Sequence, residues 1–298
     1  MSQFELVGAP TSAGAHGPGQ EKAPAALRRA GLIEALRSAN VDLDDAGDLP
    51  IALFHPDPAN RRAQNASRVA SVATQVADQV VAVVRRGHLP FVIGGDCTIT
   101  IGVVSGLLDS GSADLGVLYF DGDIDLNSPE TTRSGILDNM GIAHLIGMAG
   151  TPLQDVGPRR PLLTDGQIVL FGYETDEQEV IQRSALKRRA IRHHPADEVR
   201  GNPSGIAREA MAELTKHAKR VLVHFDVDVI DTTELPLADF PHFNAGLSLE
   251  DAMACLKVFL STPALAGVVM TEINPDHDPD GTILRDFVHR VAAAFRQS

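Results

Sequence analysis

Six short apolar runs, with five longer segments of helical spacing distributed among and after them, constrain this chain more than any other feature. The runs are FELVG (4–8), PFVIGG (90–95), LGVLYF (115–120), QIVLFG (167–172), RVLVHFDVDVI (220–230) and LAGVVMTEI (265–273). Runs that are apolar throughout, rather than alternating, belong to strands covered on both faces. The intervening segments 63–86, 98–108, 205–219, 249–260 and 282–295 carry helical periodicity, and Ser248 followed three residues later by Asp251 is an N-cap signal. The pattern predicts an α/β domain with a mostly parallel central sheet. No Pro-, Gly- or Ser-rich linker or internal repeat divides it, so residues 1–298 are read as one domain, and PTSAGAHGPGQEKAP (10–24) as a loop near a site.

Ligands of open α/β sheets bind at the carboxyl ends of the strands. Gly94-Gly95-Asp96-Cys97 follows FVI, Asp121-Gly122-Asp123-Ile124-Asp125 follows VLYF, Asp226-Val227-Asp228 follows VLVHF, and Glu272 follows VVMT. If these ends neighbour one another, Asp121, Asp123, Asp125, Asp226, Asp228, Cys97 and Glu272 share a cleft. Buried carboxylates cost several kcal/mol each unless a cation or a proton compensates them. A pair of divalent ions is the economical solution, and carboxylate oxygens suit hard ions such as Mn²⁺ or Mg²⁺. A lone aspartate at a strand end is more often a cap or turn residue than a ligand. Two Asp-x-Asp clusters at separate strand ends favour the metal. An EF-hand does not fit, because position 132 is threonine where that loop needs glutamate.

The ordered series GGDC, DGDIDLNSPETTRSG, DVDVID and EINP resembles the ureohydrolases, which include arginase and agmatinase and carry GGDH, DAHxDxNxP, DxDxxDP and a late E-(V/I)-NP. The resemblance implies a three-layer α/β sandwich around an eight-stranded parallel sheet. It also implies a two-manganese site that hydrolyses a guanidino group by attack of a metal-bridging hydroxide. By position, Cys97, Asp121, Asp125 and Asp226 would hold the first ion, and Asp121, Asp123, Asp226 and Asp228 the second. Glu272 would hold the substrate guanidinium. Asn127 and Ser134 fall on positions that grip an α-carboxylate, and Glu177, or Asp176 beside it, falls near the position that meets an α-amino group. The family's proton-shuttle histidine falls on Asp138, which as a carboxylate accepts but does not donate a proton. His144, six residues on, substitutes for it only if the loop is rearranged, and is otherwise an ordinary helix histidine. A trimer or hexamer is implied by the same resemblance.

Three departures stand out: Cys97 and Asp123 replace histidines of the pattern, and Thr232 replaces its proline. The expected site therefore contains no imidazole, and a thiolate among carboxylates draws the first position toward zinc or iron. Losing the shuttle fits a less basic substrate, such as an N-hydroxyguanidine, whose leaving group needs less proton delivery. The DGDIDLNSPETTRSGILDNM segment with Cys97 is similar to the Nω-hydroxy-arginine hydrolases of the D-cycloserine type, although that subgroup keeps a histidine where this chain has Asp123. Hydrolysis releasing urea or hydroxyurea is the expectation. A catalytically silent relative with one metal or none is the main rival. Metal-free attack by Cys97 is weaker, since acidic neighbours disfavour a thiolate.

Composition narrows the partners. Against 39 acidic residues stand 26 basic ones, a net charge of −13, which argues against nucleic acid or an anionic membrane as partner. The densest basic run, LKRRAIRHH (186–194), reads as a solvated face. Two cysteines form no disulfide framework and the N-terminus lacks signal-peptide character, so a reducing cytoplasm is expected. No apolar stretch approaches the about 20 residues of a membrane span.

Overall fold

The computed structural model describes residues 3–176 and 180–296. Its eight strands are β1 (Phe4–Gly8), β2 (Leu43–Asp48), β3 (Leu89–Ile93), β4 (Leu115–Phe120), β5 (Ile168–Phe171), β6 (Arg192–His194), β7 (Arg220–Asp226) and β8 (Leu265–Thr271). All pair in parallel in one sheet of order β2-β1-β3-β8-β7-β4-β5-β6. Within the described residues, the five longest helices are α1 (Ala66–Arg85), α2 (Ile99–Asp109), α3 (Pro203–Leu214), α4 (Leu249–Leu260) and α5 (Thr282–Phe295).

Strand alternation sorts the core into two halves. Leu118, Phe120, Val223 and Phe225 face one side, where α3, α4 and α5 pack through Leu214, Phe259 and Phe287. Val117, Tyr119 and Leu222 face the other, where α1 and α2 pack through Val76, Val80, Ile101 and Val104. Helix α2 is buried nearly all round because α1 covers its outer side. Gly102 makes that approach close: a Cβ there would sit 2.4 Å from the Ala73 carbonyl oxygen. Ser248 caps α4, its Oγ accepting the Asp251 N–H at 3.0 Å as its spacing predicted.

The sandwich expected from the sequence is therefore present, with two strands beyond the six apolar runs. Both lie toward an edge where burial no longer marks a strand. β2 reads LDDAGD and is mostly exposed, and β6 is the three-residue RHH within the basic run. Charge on an edge strand blocks further pairing, and it erases the hydrophobic signal at the same time. No described helix is long and apolar enough to cross a membrane.

A candidate metal centre at four strand ends

The four strands whose ends carry the acidic motifs, β3, β8, β7 and β4, are consecutive in the sheet although far apart in sequence. Each delivers its side chains by a local device. After β3 the chain turns through Gly94 and Gly95, both left-handed (φ 109° and 63°). A Cβ on Gly95 would come within 2.6 Å of Thr11 Cγ2, so the turn that seats Cys97 requires glycine. After β8, Glu272 is itself left-handed (φ 67°), as is Asp125 after β4 (φ 53°). The other described non-glycine residues with positive φ are all asparagine, which tolerates that region. Two acidic residues held there, both in this cluster, store strain of about 1–2 kcal/mol each, as functional positions do.

The side chains converge. Cys97 Sγ lies 2.6 Å from Asp226 Oδ2, 4.0 Å from Asp121 Oδ2 and 3.7 Å from His224 Nε2, and His224 Nε2 lies 3.3 Å from Asp121 Oδ2. Backbone amides fix the carboxylates: Asp121 Oδ1 accepts the Asp123 N–H at 2.7 Å, Asp226 Oδ1 the Asp228 N–H at 2.8 Å, and Asp228 Oδ1 the Gly122 N–H at 2.9 Å. Tyr119 Oη donates to Asp125 Oδ2 at 2.6 Å, and Thr271 Oγ1 to Asp226 Oδ2 at 3.0 Å. Asp138 Oδ1 accepts the Cys97 N–H at 2.6 Å. Gln20, from the flexible-looking loop, donates through Nε2 to Glu272 Oε2, and Gly14 of the same loop donates its N–H to Asp96 Oδ2 at 2.9 Å. That loop therefore lies against the cluster, consistent with its reading as a loop near a site.

Cys97, Asp121, Asp123, Asp125, Asp138, Asp226, Asp228 and Glu272 line one small cavity with Asn139 and Phe240, and among the described residues neither lysine nor arginine joins them. Its volume, about 20 Å³, is ion- or water-sized rather than substrate-sized. Burial, reinforced by neighbouring carboxylates, pushes Asp121, Asp125, Asp138, Asp226 and Glu272 well above the usual carboxylate range. Burial and the same acids raise the Cys97 thiol. Asp138 and Glu272 lie within reach of each other beside Cys97, and after burial the Asp138 charge is the largest cause of the rise at Glu272. Glu272 Oε1 and Asn139 Oδ1 are buried without a partner. Seven carboxylates around an ion-sized space, with an unsatisfied oxygen among them, fit divalent cations as the missing positive charge.

Three sets of potential ligand atoms lie within mutual reach: Cys97, Asp121, His224 and Asp226; Cys97, Asp138 and Glu272; and Asp123, Asp228 and His242. The expectation of a site without imidazole is thereby corrected, since His224 and His242 approach from outside the motif positions. His224 was legible in principle. It stands two residues before Asp226 on β7 and so projects from the same face. His242 lies on the loop after β7 and left no sequence signal. Asp125 lines the cavity but belongs to none of the three sets.

The remaining residues named from sequence divide. Asn127 is buried and its Oδ1 accepts from Thr131 Oγ1 at 3.2 Å, whereas Ser134 is exposed. Glu177 lies outside the described residues. His144 is not brought to the cavity: Nδ1 bonds the Met140 carbonyl at 2.8 Å and Nε2 bonds Thr151 Oγ1 at 2.7 Å. Burial lowers it to about 4, as suits a neutral ring engaged at both nitrogens.

Fold and site together define a parallel-sheet α/β protein with an acidic cleft of candidate metal ligands at the carboxyl ends of its central strands. The sequence matches the arginase family over residues 2–295, and the chain belongs to that family of hydrolases. It is 28% identical to the arginase of Bacillus caldovelox over 279 residues, which is 92% of each chain. It is 30% identical to human arginase-1 over 275 residues, covering 91% of this chain and 84% of the other. The solved B. caldovelox arginase superposes with a TM-score of 0.91 at 26% identity, covering 100% of this chain and 99% of the other. A Trypanosoma cruzi formiminoglutamase, at 19% identity and a TM-score of 0.74, shares the fold; 99% of this chain and 95% of the other are covered.

Proposed function

We propose that the chain is a dinuclear-metal-dependent hydrolase that cleaves a C–N bond in a guanidino or N-hydroxyguanidino substrate and releases urea or hydroxyurea. The observation that carries this reading is the convergence of Cys97 and the aspartates of both Asp-x-Asp motifs on one ion-sized cavity within an arginase-family fold. Cys97, Asp121, Asp125 and Asp226 would hold one cation, and Asp121, Asp123, Asp226 and Asp228 the other. The bound cations, Mn²⁺ in the first instance, would neutralise the carboxylates and acidify a water for attack.

The protein's own groups supply the rest. The Glu272 carboxylate, oriented by Gln20, offers its second oxygen to a planar cation such as guanidinium. A cavity lined by acids and by no lysine or arginine among the described residues favours that cation over an anion. Asn127 and exposed Ser134 take the amino-acid-like tail, with Glu177 toward its amino group. Asp138, buried against Cys97 N–H and Glu272, is the group placed to receive or hold a proton, and its raised affinity for one suits a weakly basic leaving group. His144 has no part in this scheme. A cytoplasmic location accompanies the reading from the cysteine usage and N-terminal sequence, and a trimeric or hexameric assembly from the family resemblance.

The test is a screen of arginine, agmatine and Nω-hydroxy-arginine for urea or hydroxyurea release by protein loaded with Mn²⁺, then with other divalent ions. Release from one substrate, abolished by Glu272→Gln and by chelation, supports the proposal. No release with any metal moves the reading to a silent relative.

A further inference from the structure

The geometry points to His224 as a metal ligand, completing with Cys97, Asp121 and Asp226 a four-coordinate site of mixed sulfur, nitrogen and oxygen donors that takes a zinc-like borderline ion in preference to Mn²⁺. The inference rests on the metallohydrolase reading and deepens it by reassigning the inner position: His224 takes the place given to Asp125.

Distances carry the argument. Metal–ligand bonds of about 2.0 Å to nitrogen and oxygen and about 2.3 Å to sulfur place tetrahedral ligands about 3.3–3.6 Å apart. Here His224 Nε2 is 3.3 Å from Asp121 Oδ2 and 3.7 Å from Cys97 Sγ, and Cys97 Sγ is 4.0 Å from Asp121 Oδ2. The Cys97–Asp226 pair, at 2.6 Å, must open on binding, and the Cys97–Asp121 pair must close slightly. All four ligand atoms lie within 4.8 Å of one another, and all four residues are buried.

The ring is also prepared for the role. Thr100 Oγ1 lies 2.8 Å from His224 Nδ1 and can accept its proton, which in that tautomer leaves the Nε2 lone pair directed to Cys97 and Asp121. Tyr119 stacks on the imidazole at 4.0 Å between centroids and 21° between planes, which fixes its rotation. The same tyrosine donates to Asp125 Oδ2. One residue thus presents the histidine and ties down the carboxylate that the motif would have used. The chain replaces the motif histidine with Cys97 and recovers a nitrogen donor from β7.

Cobalt(II) titration of the metal-free protein, followed by absorption, tests the assignment without reference to turnover. Wild type should give intense ligand-field bands of a four-coordinate ion and a thiolate charge-transfer band, and Zn²⁺ should displace Mn²⁺. His224→Asn should weaken Co²⁺ binding at least tenfold and reduce the ligand-field intensity. Thr100→Val, which leaves every ligand in place, should weaken it by about 10–100-fold. X-ray absorption of wild type carrying one equivalent of Zn²⁺ needs no variant and should show one sulfur and imidazole scattering. Weak six-coordinate bands, or a spectrum and affinity unchanged in His224→Asn, would overturn the assignment while leaving a metal enzyme intact. Failure of wild type to bind any divalent ion would overturn the metallohydrolase reading with it.

Discussion

Replacing Asp226 by asparagine should stabilise the metal-free protein while removing its response to metal. The side chain is fully buried, and its oxygens meet Cys97 Sγ, Thr271 Oγ1 and the Asp228 N–H. Asparagine keeps the shape and one acceptor oxygen but deletes a negative charge among Asp121, Asp138 and Asp228. Like charges about 6 Å apart repel by about 3 kcal/mol at an effective dielectric constant of about 20. Protons taken up by the cluster already relieve part of that, so the expected gain is about 1–3 kcal/mol. In wild type, a cation at a hundred times its dissociation constant adds about 2.7 kcal/mol. For a chain of this size that is a rise of about 5 °C in Tm. Thermal melts in chelator and in excess Zn²⁺ or Mn²⁺ should show Asp226→Asn melting above wild type without metal and failing to rise with it. A variant that melts lower in chelator and keeps the full metal-induced rise would refute both the repulsion argument and the ligand role.

Three further outcomes follow from the same electrostatics. The buried carboxylates are raised in the folded protein, so their contribution to metal-free stability is full below about pH 4 and is lost as pH climbs through their folded values. Metal competes with those protons, so the metal-induced rise in Tm should be larger at about pH 8 than at about pH 5.5, and an equal rise would count against the site. Tyr119→Phe removes the hydrogen bond to Asp125 Oδ2, leaves that buried oxygen without its donor, and should cost about 1–3 kcal/mol in denaturant melts of the metal-free protein. His144 is lowered from 6.5 to about 4, so this group by itself should remove about 3 kcal/mol as pH falls from about 6.5 to about 4, set against the gain from the raised carboxylates. His144→Gln should flatten that acid limb in pH-dependent melts without changing metal stoichiometry.

The sequence made the interior of this fold readable and left its margins obscure. β3, β4, β7 and β8 are apolar on both faces and announced themselves, while β2 and β6, toward the sheet's edges, carry acidic and basic residues that read as loop and solvated surface. The cluster was legible because Asp121, Asp123, Asp226 and Asp228 break buried strands with charge, and such breaks demand a chemical reason. His224 was hidden by its place inside an apolar run, where a histidine looks like part of the strand. The partnerships of Gln20 with Glu272 and of Tyr119 with Asp125 span contacts that only the folded chain creates. Asp138 could be placed by resemblance, but its proximity to Glu272 and its bond to the Cys97 N–H needed the structure.

Metal stoichiometry by elemental analysis, on protein purified without chelator and re-equilibrated with Mn²⁺ and Zn²⁺, tests the central claim most directly. About two ions per chain are predicted for a dinuclear hydrolase, with zinc retained at one position against excess manganese. A chain that returns no bound ion from either metal, yet melts as a folded protein, would contradict the account.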